Sequence, residues 1–181
     1  MATKKFTVDI LSKSSVDKLK KELEAYRNDL PRKCERIVTE LSKKGIDVAK
    51  SNVGNFGKYI TFTYKIEPNT SGCKAVMLAT NTGIIHSEWR TEDGVKSADV
   101  SPLFMVEFGS GLKAKNPLNV PGGGTGTFPG QSHATDPSGW WWMDLDGEWH
   151  HSTGIEPKAP MYKASIEMFN EVVKTVKAVL T

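Results

Sequence analysis

Apolar residues at intervals of three and four run through Val16, Leu19, Leu23, Tyr26, Leu30, Cys34, Ile37 and Leu41, which is one stripe along an α-helix. Ser14 with Asp17 three residues on resembles a capping-box start, and Lys43-Lys44-Gly45 combines basic last-turn residues with a glycine cap, so the pattern predicts a helix over 15–44. Pro31 lies inside the run; it removes a backbone donor and predicts a kink or split near Asn28–Leu30. Upstream, Phe6, Val8 and Ile10 alternate with Thr7 and Asp9 and predict a short strand, as do Ile46 and Val48 after the helix. The strongest strand signal is 58–67, with Ile60, Phe62, Tyr64 and Ile66 on one face and Tyr59, Thr61, Thr63 and Lys65 on the other. Turn residues at 68–72, 81–83 and 92–94 separate it from strands over 73–80 and 83–90, which together predict an antiparallel meander.

Ser101-Pro102 has the form of an N-cap followed by proline at the first helical position, so Leu103–Phe108 is expected to form a short helix ended by Gly109. Asp146-Gly147 between Trp140–Asp144 and Glu148–Ser152 is a hairpin signal. From Pro160 a last amphipathic helix runs to Leu180, its stripe traced by Met161, Ala164, Met168, Val172, Val176 and Val179. The expected architecture is a single α+β domain over 1–181. In it an antiparallel sheet is covered on one face by the long N-terminal helix and the C-terminal helix, with Leu23, Ile37 and Val172 buried beneath them.

Composition changes this picture in two places. The chain has 181 residues and 16 glycines, many of them in a stretch over 112–139 without apolar periodicity. A loop of that length is expected to be functional, mobile in the free chain and ordered by a partner. The formal charge of +3 is unevenly spread: residues 1–50 hold 13 of the 24 Lys and Arg but 8 of the 21 Asp and Glu. Acidic residues interleave with the basic ones and no aromatic platform accompanies them, so a solvated helix face is the reading rather than a nucleic-acid site. No apolar run reaches the length of a membrane span, the N-terminal residues lack the apolar core of a secretory signal, and Cys34 and Cys73 read as reduced thiols.

The candidate chemistry concentrates between Ser101 and Met161. The glycine-rich run 121–130 lacks the Gly-Lys-Ser/Thr of a phosphate loop and the strand–helix context of a dinucleotide fingerprint, so no cofactor is expected. His133, His150, His151, Asp144, Asp146 and Glu148 invite a metal reading, but adjacent histidines on a strand point to opposite faces, and no metal site is expected. Asp144, Glu148 and Glu107 could be drawn as hydrolytic carboxylates, with nothing in the sequence to fix their geometry. Four of the five tryptophans lie at Trp140, Trp141, Trp142 and Trp149. On a strand Trp140 and Trp142 share one face and Trp141 takes the other, so one face is left for a protein partner or, as the rival reading, a sugar. Glu107 sits near the C-terminus of the short helix, where a carboxylate opposes the dipole; either it is held by a cation or by backbone N–H groups of the loop that follows, or it is simply exposed to solvent.

The segment FMVEFGSG at 104–111, the Trp-rich stretch leading into HHSTGIEPKAPM at 150–161 and the closing helix resemble the head–tail joining, or tail-completion and neck, proteins of long-tailed bacteriophages. In that family an aromatic-Val-Glu-Phe-Gly-Thr/Ser segment precedes a variable loop, and a Thr-Gly segment ending in Pro-Met/Phe opens the last helix. Here those are Phe104–Ser110 and Thr153–Met161. The long loop and the dense tryptophan block depart from the pattern. The resemblance implies a non-enzymatic α+β subunit of a head–tail joining ring in a phage or prophage virion, assembled in the bacterial host cytoplasm. Its partners would be further copies of itself and other connector and tail proteins, with DNA met only as it passes through the ring lumen. A tail terminator, or a small hydrolase or sugar-binding domain using the Trp hairpin, is the alternative. The candidate interface residues are Glu107, Phe108, Phe128, Trp140, Trp141, Trp142 and Trp149.

Overall fold

The computed structural model describes residues 7–69, 72–113 and 137–180. Its first element, α1 (Lys13–Asn52), is a single helix of 40 residues and so about 60 Å long. Ser12 rather than Ser14 caps it, its hydroxyl accepting from the Ser15 N–H. Among the described residues no strand precedes it: residues 7–9 are irregular and 10–11 form a turn, with Ile10 and Leu11 largely exposed; Phe6 lies outside the described residues. Helix is continuous through Pro31, and Asp29 just before it pairs with Arg32 at 2.9 Å and with Lys33 at 3.3 Å in the turn that follows.

Gly45 does not end the helix. It is a packing position: a Cβ there would lie 2.7 Å from the Met168 Sδ and 3.1 Å from the Met77 Sδ. The residues expected to form a strand, Ile46 and Val48, are therefore helical, and Ile46 and Ala49 enter the core.

A 3₁₀ segment, Gly54–Tyr59, leads into β1 (Ile60–Asn69), which pairs antiparallel with β2 (Gly72–Asn81) over its whole length. Alternation works as expected: Ile60 and Phe62 are buried against α1. The expected meander then divides. β3 (Ile85–Thr91) pairs with β4 (Gly94–Val100) on one edge and with the Trp strand β5 (Trp140–Met143) on the other. β6 (Trp149–Ser152) completes a sheet of order β4-β3-β5-β6, beside the two-stranded β1-β2 sheet. β2 cannot pair with β3 because both edges of β3 are occupied. The chain leaves β2 through side chains: the Thr82 hydroxyl donates to the Lys58 carbonyl, and Asn81 donates to the Ser101 hydroxyl while accepting from the Leu103 N–H. That asparagine thus fastens the start of α2 (Pro102–Phe108).

The last helix, α3 (Pro160–Leu180), runs antiparallel to α1. Lys163 meets Asn52, Glu171 meets Lys44, and Val179 lies beside Arg32, Lys33 and Arg36. The molecule is α+β, as expected, with its core where the last third of α1 meets β1, β2, α2 and the start of α3. The core differs from the expected one at Leu23 and Val172, which are 46% and 38% exposed, and at Ile37, which is only half-buried. No described helix is long and apolar enough to cross a membrane.

Candidate functional site

The two segments that carry the family resemblance meet in one buried junction. α2 begins at Ser101, whose hydroxyl accepts from the Phe104 N–H, and ends at Gly109 with φ 79°. Its C-terminal Val106 carbonyl accepts from the Lys158 and Ala159 N–H groups at 2.8 and 3.2 Å. In the same turn Glu107 is 8% exposed, and its two carboxylate oxygens accept from the Met161 and Tyr162 N–H groups, each at 2.9 Å. These are orphan donors in the first turn of α3, where the helix dipole favours an anion. Glu107 is therefore the N-terminal cap of α3, supplied from 54 residues upstream, and not an exposed interface residue. Its holders are backbone N–H groups, but of a distant helix rather than of the loop that follows.

The glycines of both segments have a steric reason. Ser110 and Ile155 exchange backbone hydrogen bonds at 3.0 and 3.2 Å, which brings the two chains within van der Waals contact. Gly111 has φ 62°, and a Cβ on it would lie 2.7 Å from the Trp140 ring and 2.9 Å from the Thr153 carbonyl. Gly154 has φ 115°, and a Cβ there would collide with the Ser110 carbonyl. A side chain at either position would push the strands apart.

Beside the junction stands the Trp hairpin. Asp144 organises its turn, accepting from the Asp146 and Glu148 N–H groups at 2.9 and 3.0 Å. The bond from the Glu148 N–H is the main cause of its lowered pKa, and hydrogen bonding to His150 and the charge of Lys58 act in the same direction. Lys58 ties this turn to the segment before β1, reaching Asp146 at 3.0 Å, and that carboxylate raises the lysine pKa.

Alternation along β5 sorts the tryptophans as expected. Trp140 is buried, Trp142 is half-buried and stacked on His150 with centroids 4.7 Å apart, and Trp141 is 52% exposed. Cross-strand pairing aligns Glu88, Trp141 and His151 in one row and Asp99, His86, Met143 and Trp149 in the next, all on the outer face. Trp141 tilts against His151 at 5.2 Å, and Trp149 stands edge-on to His86 at 6.2 Å. A groove of about 410 Å³ opens there, lined by Glu88, Val95, Ser138, Trp141, Trp149 and His151. His86 lies 3.1 Å from Asp99 and 3.6 Å from Glu88, and hydrogen bonding to Asp99 first raises its pKa.

Of the candidate interface residues, the structure thus brings Trp141 and Trp149 together on one accessible face. Trp140 and Glu107 belong to the interior, Trp142 to the sheet's inner side, and Phe108 is half-buried with its ring 6.3 Å from Phe104. Phe128 and His133, and most of the 112–139 loop including the glycine run, lie outside the described residues. Sequence reasoning missed Glu88, His86 and Asp99; only the pairing of β3 with β5, a non-local event, places them beside the tryptophans. Among the described residues no group of three or more His, Cys, Asp or Glu is arranged to hold a metal ion. Two of the three carboxylates drawn as hydrolytic, Glu107 and Asp144, are engaged by backbone N–H groups.

No protein-family model matches the chain, and neither a curated protein nor a solved structure matches it.

Proposed function

We propose that this chain is a structural subunit of the ring that joins head to tail in a long-tailed phage or prophage. On this reading it works through contact surfaces rather than catalysis, within a virion assembled in the bacterial cytoplasm. The observation that supports it best is the junction: the two short segments resembling the head–tail joining family form one physical unit, with Glu107 of the first capping the helix that the second opens. A resemblance built on two unrelated matches would not be expected to close on itself in this way. The exposed Trp141–Trp149 face is then the contact with a neighbouring copy or with another connector or tail protein, since large aromatic side chains dominate such contacts.

The groove favours one rival, a sugar-binding domain in which Trp141 and Trp149 stack on a ring and Glu88 accepts from its hydroxyls. Native mass spectrometry and negative-stain microscopy of the concentrated protein separate the two. Closed rings that disperse on Trp141→Ala/Trp149→Ala support the joining role. A chain that stays single and binds glycans, losing them in that same variant, would overturn it.

A further inference from the structure

The first half of α1 carries a surface that the folded body leaves uncovered. α3 ends beside Arg32–Arg36, and the Cys73 thiol at the base of β2 reaches the Pro31 carbonyl. Residues 13–30 extend past both, an arm of about 27 Å. The buried residues of α1 all lie between Ser42 and Ala49. Yet the apolar stripe continues through the arm, where Val16 is 43% and Leu23 46% exposed, and a groove of about 290 Å³ runs along it. The same stripe that packs inside the molecule at one end is open at the other.

Its spacing is strictly heptad. Val16, Leu23 and Leu30 occupy one seam position and Leu19 and Tyr26 the other. The flanks of the seam have opposite signs: Lys20 and Arg27 on one side, Glu22 and Asp29 on the other. Asp29 is engaged by Arg32 and Lys33, whereas Lys20, Glu22 and Arg27 make no ion pair among the described residues. Two such helices side by side in parallel bring Glu22 of each against Arg27 of the other. In antiparallel pairing the basic flanks face each other and so do the acidic ones.

We propose that residues 13–30 of α1 pair in parallel with the same residues of a second copy of this chain. This contact is separate from the Trp hairpin, and it stands whether or not the chain builds a head–tail ring.

The test is sedimentation equilibrium, over a wide concentration range, of the full chain carrying Trp141→Ala/Trp149→Ala, which takes away the hairpin contact and leaves the arm. We expect a mass that rises with concentration and falls to that of the single chain in Leu19→Asp/Leu23→Asp, with thermal unfolding unchanged because both residues lie outside the core. Glu22→Lys alone and Arg27→Glu alone should each weaken association by about tenfold, two attractive contacts being replaced by repulsive ones. Mixing those two variants should restore it, and this arm decides the matter even if the aspartate variant unfolds. On a Cys34→Ser/Cys73→Ser background, Val16→Cys should cross-link to itself on oxidation. A chain that stays single throughout, or association that survives the aspartate variant and so lies elsewhere, as on α3, overturns the proposal. So does cross-linking of Val16→Cys to Leu30→Cys but not to itself. With the parent tryptophans in place, rings formed by a chain whose Val16→Cys fails to cross-link to itself would refute the arm pairing alone, and paired chains without rings would refute the ring alone.

Discussion

Glu107 combines a charge, burial and two short hydrogen bonds to a helix start, and each can be separated by substitution. Glu107→Ala leaves two N–H groups of α3 without acceptors inside the protein and should cost about 2–4 kcal/mol. Glu107→Gln keeps one acceptor but turns its amide NH₂ toward the other donor, so about half that loss is expected. Urea unfolding with an unchanged slope measures both. The sequence marks Glu107 as misplaced on its own helix, but its partner lies 54 residues away, and a contact of that range leaves no local pattern to read. His86 and Asp144 each contribute to the response to pH. His86 has its pKa raised by Asp99, so its contribution is complete below the unfolded value, about 6.5, and is lost as pH rises through the higher folded value. Asp144 has its pKa lowered, so its contribution is present above about 3.9 and is lost as pH falls through the lower folded value. The melting temperature should fall on both sides of a plateau. His86→Gln should remove the part of the alkaline decline that begins near neutral pH, and Asp144→Asn the matching part of the acid decline.

At the scale of elements, period-two alternation locates β1, and the Ser-Pro and Asp-Gly signals locate α2 and the hairpin, because each is a local consequence of backbone geometry. The end of α1 was not legible, since glycine has two uses that look alike in sequence. It can stop a helix, or it can let another element approach one closely. Gly45 does the second, and the thioethers of Met168 and Met77 occupy the space a side chain would need. Gly45→Ala should be close to neutral: a gain of about 1 kcal/mol in helix propensity offsets the displacement of two flexible methionines. Gly45→Leu forces α3 away from α1 and should cost about 1–3 kcal/mol, with the Lys44–Glu171 ion pair lost in the same step. Calorimetry of the two variants distinguishes a packing glycine from a helix stop, at which the leucine would be tolerated no worse than the alanine. The division of the meander was also hidden. The residues between β2 and β3 read as an ordinary turn, and only the arrival of Trp140–Met143 on the free edge of β3 decides that β2 stays apart.

Across the whole molecule, the two sheets are joined by the junction and by Lys58 on the hairpin turn, and the loop leaves and re-enters the body at one place. Gly111, just before the loop, packs against the ring of Trp140, just after it, and Ser110 is bonded to Ile155. The ends are thus held together by contacts that do not involve the intervening residues, and a short connection can span them. Long loops are tolerated thermodynamically because closure entropy grows only slowly with length, and the converse holds for their removal when the ends are already fixed. Replacing residues 114–136 by a short Gly-Ser linker should therefore leave a folded chain whose melting temperature lies within a few degrees of the parent. If the chain builds a head–tail ring, the loop supplies contacts to a neighbouring component, and a phage carrying the deletion should accumulate heads and tails that fail to join. A deletion variant that does not fold would make the loop part of the core. A folded variant that supports normal phage assembly would remove the loop from the joining contacts and leave the Trp141–Trp149 face to carry them.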